Sequence, residues 1–120
     1  MQRILIIDDD VDILFSTRRL LKRVGYDVYV AQNGEEGLDL FNKLNFDLVI
    51  TDMIMPQKEG IEVITELKKR DPAIKIVVIS GGGHISSDFY LRAANQFHVD
   101  LALTKPFNST EFVEQIRNIM

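Results

Sequence analysis

The chain has 120 residues, with 14 Lys and Arg against 18 Asp and Glu, a net charge of −4 and no cysteine. That length suits one domain with one core, and a hydrophobic share of 46% excludes a disordered polymer. Disulfides and thiolate metal sites are excluded, no apolar run could span a membrane, no secretory leader is legible, and a mildly acidic balance gives no pull toward nucleic acid or anionic lipid, so a soluble cytoplasmic domain is expected.

Short apolar runs alternate with helix-like stretches. Arg3–Ile7 is an apolar run that ends in three carboxylates, Asp8, Asp9 and Asp10. Val11–Val24 reads as a helix: Val11, Leu14, Phe15, Leu21 and Val24 share half of its wheel, which Arg18 interrupts. Asp10 and Asp12 are read as its N-cap or first-turn acids. Gly25 follows where a helix end favours a left-handed residue. Tyr26–Ala31 looks like a strand. Asn33 with Glu36 marks a capped helix start, and Leu38, Phe41 and Leu44 give that helix an apolar stripe, weakened by Gly37. Phe46–Thr51 is read as an apolar run, as in a strand covered on both faces. Ile61, Ile64 and Leu67 mark a helix that Asp71-Pro72 ends. Ile74–Ile79 is a further apolar strand. Tyr90, Ala93, Ala94 and Phe97 form a helical stripe, Val99–Leu103 a fifth strand, and Asn108 with Glu111 caps a last helix carrying Phe112, Val113, Ile116 and Ile119. Five strand–helix units of about 24 residues point to a parallel sheet with helices on both faces.

Sites in open parallel sheets lie beyond the carboxyl ends of the strands. In this chain those ends carry Asp8, Asp9 and Asp10, then Asp52, Ser80 and Lys105. Carboxylates held this close repel one another and need a cation or protons. An all-oxygen set suits a hard divalent ion, Mg²⁺ above all, and Lys105 suits a phosphoryl group. Together they read as phosphoryl transfer with an aspartate nucleophile. Taken singly each is ordinary: Ser80 a turn hydroxyl, Lys105 a surface lysine, Gly81-Gly82-Gly83 a flexible loop without a Walker pattern, His84 and His98 no metal pair.

These residues resemble the receiver domain of two-component response regulators over essentially the whole chain. "DMIMPQKEG", Asp52–Gly60, looks like the family's phospho-acceptor loop, and "TKPF", Thr104–Phe107, like its lysine–proline signature. The resemblance implies a flavodoxin-like doubly wound α/β fold, strand order 2-1-3-4-5. It implies Asp52 as acceptor of a phosphoryl group from a histidine kinase or phosphotransfer protein. Asp9, Asp8, Asp52 and the backbone carbonyl of Ile54 would hold Mg²⁺, with Asp8 acting largely through a water. Ser80 and Lys105 would contact the phosphoryl group, and the Lys105–Pro106 bond would be cis. Two departures bear on signalling: Ala102 stands where the family usually has an aromatic residue, and the glycine-rich stretch after Ser80 looks a few residues long. The signal is therefore expected to pass through the backbone of Gly81–Gly83 to a helix near Ser86–Phe97.

The resulting expectation is a stand-alone receiver domain spanning residues 1–120. It would be no enzyme beyond its own phosphorylation and dephosphorylation. It would signal by contact with a downstream protein, without binding nucleic acid or membrane, as a monomer or weak dimer. Two other readings stay open. A haloacid-dehalogenase-like phosphatase also uses acids after strand one; Asp8 and Asp10 fit its spacing, but Asp12 occupies the position it gives to threonine or valine. A non-phosphorylated binding module on the same scaffold would have lost its site residues, and none is lost.

Overall fold

Each apolar run becomes a strand, and each periodic stretch described between them becomes a helix. The structure, a computed structural model, describes residues 1–52, 60–80, 99–105 and 108–120. In order come Arg3–Ile7 (β1), Val11–Arg23 (α1), Asp27–Ala31 (β2), Gly34–Lys43 (α2), Leu48–Asp52 (β3), Gly60–Arg70 (α3), Lys75–Ser80 (β4), Leu101–Thr104 (β5) and Ser109–Ile119 (α4). All pairings are parallel, in the order β2-β1-β3-β4-β5. The expected doubly wound α/β architecture is thus present. The loop after Asp52, Gly81–Gly83, the stripe from Tyr90 to Phe97, both histidines and Pro106 lie outside the described residues.

Alternation along the strands sorts the core into two layers. Ile4 and Ile6 of β1 join Leu48 and Ile50, Val77 and Ile79 under α1 and α4, where Leu14, Leu21, Phe112 and Ile116 close the layer. Leu5 and Ile7, Val49, Ile76 and Val78 face the other way, against Leu38 of α2 and Val63, Ile64 and Leu67 of α3. Each fully buried Ile or Leu contributes roughly 2 kcal/mol. No helix among the described residues is long and apolar enough to cross a membrane.

The helix ends form as the residue types dictate. Asp10 caps α1, accepting from the Asp12 and Ile13 amides, and Asp12 sits in the first turn. Asn33 accepts from Glu36 N–H at 2.9 Å while the Glu36 carboxylate accepts from Gln32 N–H, a capping box displaced by one residue. Asn108 caps α4 through the Thr110 and Glu111 amides. Gly25 adopts φ 105°, the left-handed conformation its position required.

The apolar face of α1 is narrower than half its wheel. Leu14, Thr17 and Leu21 are buried, whereas Val11 and Phe15 remain 45% and 42% exposed. A helix on a sheet touches it along one line at i, i+3 and i+7, and residues a quarter-turn away stay in water. β5 starts later than its apolar run because Asp100 intervenes: its carboxylate accepts from Ile76 N–H at 2.8 Å, replacing a ladder bond.

Gly37 has a tertiary reason. A Cβ there would lie 2.8 Å from Ile7 Cγ1 and closer still to Cδ1, on a side chain that is itself fully buried. The missing side chain lets α2 approach β1. Gly37→Ala should therefore lower stability by about 1 kcal/mol net, overpacking of roughly 1–3 kcal/mol outweighing about 1 kcal/mol of gained helix propensity. Urea denaturation checks this; an unchanged or raised midpoint would mean that Ile7 yields without cost.

Candidate functional site

The chain reverses its winding direction between β1 and β3, which leaves a crevice at their carboxyl ends. Ile7 pairs with Thr51, so Asp8 and Asp52 follow at the same level on adjacent strands. Asp8 N–H still bonds the Ala31 carbonyl at 3.1 Å, holding Asp8 on the ladder. Its Oδ1 accepts from Asp10 N–H at 2.9 Å, and this bond turns the chain into α1. Two acids of the triple run, Asp8 and Asp9, therefore face the crevice, and the third, Asp10, serves the helix.

One carboxylate oxygen from each of Asp8, Asp9 and Asp52 lies within 4.8 Å of the other two. Asp8 and Asp52 are buried and Asp9 is exposed. Lys105, just past β5, reaches across the end of β4 and donates to Asp8 Oδ2 at 3.0 Å and to Asp52 Oδ2 at 3.1 Å. Burial raises the Asp8 carboxyl above its ordinary range and the Asp52 charge pushes it the same way, against the Asp10 amide and Lys105. For Lys105, burial pulls the ammonium down, but the charges and hydrogen bonds of Asp52 and Asp8 outweigh it and the net shift is upward. The donor set is all oxygen, crowded and negative, which fits a hard divalent cation.

The structure thus brings together four of the six residues singled out in the sequence: Asp8, Asp9, Asp52 and Lys105. Ser80 is the last residue of β4, paired in register with Thr104 at the same sheet edge. Ile54 lies outside the described residues. Sequence reasoning gave Lys105 a phosphoryl contact and missed its direct bonds to both Asp8 and Asp52. It also missed Thr51, fully buried, whose Oγ1 donates to the Asp52 carbonyl at 3.1 Å. The available signal was a hydroxyl in an otherwise apolar strand, directly before the acid. Asp10 accepts from two backbone amides of the α1 cap, which removes the second acid of the dehalogenase-like pattern from the crevice.

A family model described as the response regulator receiver domain matches residues 4–117. The chain belongs to this family. It is similar to a CheY-like receiver domain protein of Methanospirillum hungatei, 31% identical at a TM-score of 0.90 over 99% of this chain and 93% of that one. It is also similar to response regulator TrrA of Thermotoga maritima, solved in complex with Mg²⁺-BeF: 35% identical, TM-score 0.84, all of both chains covered. The transcriptional regulatory protein CpxR of Escherichia coli K12 is 33% identical over 120 residues, all of this chain and 50% of CpxR. The chain spans about half the length of the curated relatives it matches. As a receiver domain it is a module of two-component signalling, and its three-carboxylate crevice fits the Mg²⁺ binding of receiver domains.

The raised Asp8 carboxyl fixes the sign of a pH effect. A carboxyl whose folded pKa exceeds its unfolded 3.8 favours folding while protonated, so this contribution is lost as pH rises from 3.8 through the folded value. At neutral pH, without divalent metal, Asp8→Asn should then unfold at a higher temperature than the parent chain, because the amide still accepts from Asp10 N–H and buries no charge. A lower melting temperature in EDTA would show instead that the Lys105 pair outweighs the burial of Asp8.

Proposed function

We propose that this receiver accepts a phosphoryl group on Asp52 from the phosphohistidine of a histidine kinase or phosphotransfer protein, in a Mg²⁺-dependent reaction. The observation that carries this reading is the Lys105 ammonium bonded to Asp52 and Asp8 at the mouth of a three-carboxylate cluster. Asp8, Asp9 and Asp52, with the backbone carbonyl of Ile54, would hold the ion. When bound, Mg²⁺ offsets the charge of the phosphoryl oxygens and of the carboxylates they approach.

The remaining work falls to the chain's own groups. An Asp52 carboxylate oxygen forms the new O–P bond as the P–N bond to the donor's imidazole breaks, and the electron pair leaves with the imidazole. Lys105 stands beside the acceptor oxygen, where it can pass from carboxylate to phosphoryl oxygen without crossing the site. Ser80, at the end of β4, would donate to another phosphoryl oxygen and so register its arrival. Phosphorylation and its hydrolysis are the only reactions assigned to the chain, which then acts by binding a downstream protein in the cytoplasm. Residues 1–120 are read as one receiver domain.

Incubation with acetyl phosphate and Mg²⁺, followed by mass spectrometry, tests the reading. One phosphoryl group should appear on Asp52. Asp52→Asn should remove it, EDTA should suppress it, and Lys105→Ala should slow it about 10²-fold or more, as for loss of one preorganised charge at a transition state. Phosphate persisting on the Asp52→Asn chain would move the nucleophile, with Asp8 next in line.

A further inference from the structure

Thr51 is the one hydroxyl residue in β3, a strand buried along its whole length, and it directly precedes Asp52. Strand alternation gives its side chain the same direction as Val49, into the layer under α2 and α3. Its neighbours in register, Ile7 of β1 and Val78 of β4, are buried in that same layer. A hydroxyl set among aliphatic side chains costs free energy unless it finds a hydrogen-bond partner. Thr51 Oγ1 finds the Asp52 carbonyl, donating to it at 3.1 Å. Valine has the same branched outline and no polar atom to satisfy, so the packing of this layer does not call for the hydroxyl.

The bond acts on the last backbone link of β3. The φ angle of Asp52 is set where β3 pairs with β4, Asp52 opposite Ile79. Its ψ angle sets the direction of the Asp52 carbonyl, which is the group that Thr51 holds. The planar peptide carries that orientation as a unit, and the rotamers open to a side chain depend on its φ and ψ. We infer that Thr51 is a positioning residue: by holding the Asp52 carbonyl it fixes the angle at which the Asp52 carboxylate enters the crevice. This role rests on the proposed part of Asp52 as phosphoryl acceptor and metal ligand. An acid that offers one oxygen to a divalent ion and another to an incoming phosphorus tolerates little rotation. Lys105 cannot supply that constraint, because an ammonium on a flexible stem follows the carboxylate as it turns.

Paired variants separate the hydroxyl from the volume. Thr51→Val keeps the outline and removes the donor, whereas Thr51→Ser keeps the donor and removes a methyl group. Two measurements on the full chain decide: Mg²⁺ affinity by calorimetry, and the rate of Asp52 phosphorylation from acetyl phosphate at saturating Mg²⁺. Thr51→Val should weaken Mg²⁺ binding and slow phosphorylation about tenfold or more, the scale for loss of a group that orients a metal ligand. Its urea midpoint should stay near that of the parent chain. Thr51→Ser should do the reverse, with binding and rate like the parent's and a lower midpoint from the lost methyl. If Thr51→Val does not fold, Thr51→Ala against Thr51→Ser makes the same comparison, since the two differ by the hydroxyl alone. A valine variant that matches the parent in both measurements overturns the inference, and so does a serine variant as impaired as the valine one. A parent chain that binds Mg²⁺ but takes no phosphoryl group on Asp52 overturns the proposed function instead, and the Mg²⁺ titrations still decide the role of Thr51.

Discussion

Two buried carboxylates on neighbouring strands set the terms for this molecule. Adjacent strands lie about 4.8 Å apart, so acids at the same level beyond β1 and β3 cannot avoid one another. Water would screen them, but Asp8 is 2% exposed and Asp52 7%. Lys105 supplies the compensation from the end of β5, on the far side of β4, bonding both at about 3 Å. Because the counter-charge is a single flexible ammonium and not a fixed apolar contact, the cluster can exchange it for another cation while the strands stay in place. Charge is concentrated where the backbone is rigid and its neutralisation is left to a movable group.

The rigid part follows from the two-layer core. β1, β3 and β4 present apolar side chains to both faces, and their central residues are essentially inaccessible to water. A sheet locked on both sides cannot slip by one residue without turning every side chain to the wrong layer. Its register therefore places Asp8 against Asp52 with little freedom. The local bonds at the same edge reinforce this: Thr51 Oγ1 on the Asp52 carbonyl, Asp8 N–H on Ala31, and the Asp10 amide on Asp8.

Much of this was legible in the residues because short-range chemistry decided it. Short apolar runs marked the buried strands, Asn33 and Asn108 marked helix starts, and Gly25 marked a left-handed end. The acids at the strand ends located the crevice, since topology alone puts them on one edge. What was not legible depended on three-dimensional approach. Gly37 reads as a weak helix residue until Ile7 is seen against it. Phe15 reads as core until the line of contact with the sheet is known to run through Leu14, Thr17 and Leu21. Lys105 reads as a phosphoryl ligand, yet its reach to Asp8 depends on how far β5 stands from β1, which no periodicity states. The late start of β5 likewise depends on the Asp100 carboxylate finding the Ile76 amide.

Asp10 joins the site to the surface. Its amide bonds Asp8, inside the cluster, and its carboxylate bonds the amides that open α1, whose outer face begins at Asp12. One short segment, Asp8–Asp12, thus carries a crevice acid, a cap and the acidic end of a charged helix. These are neighbours in charge as well as in sequence.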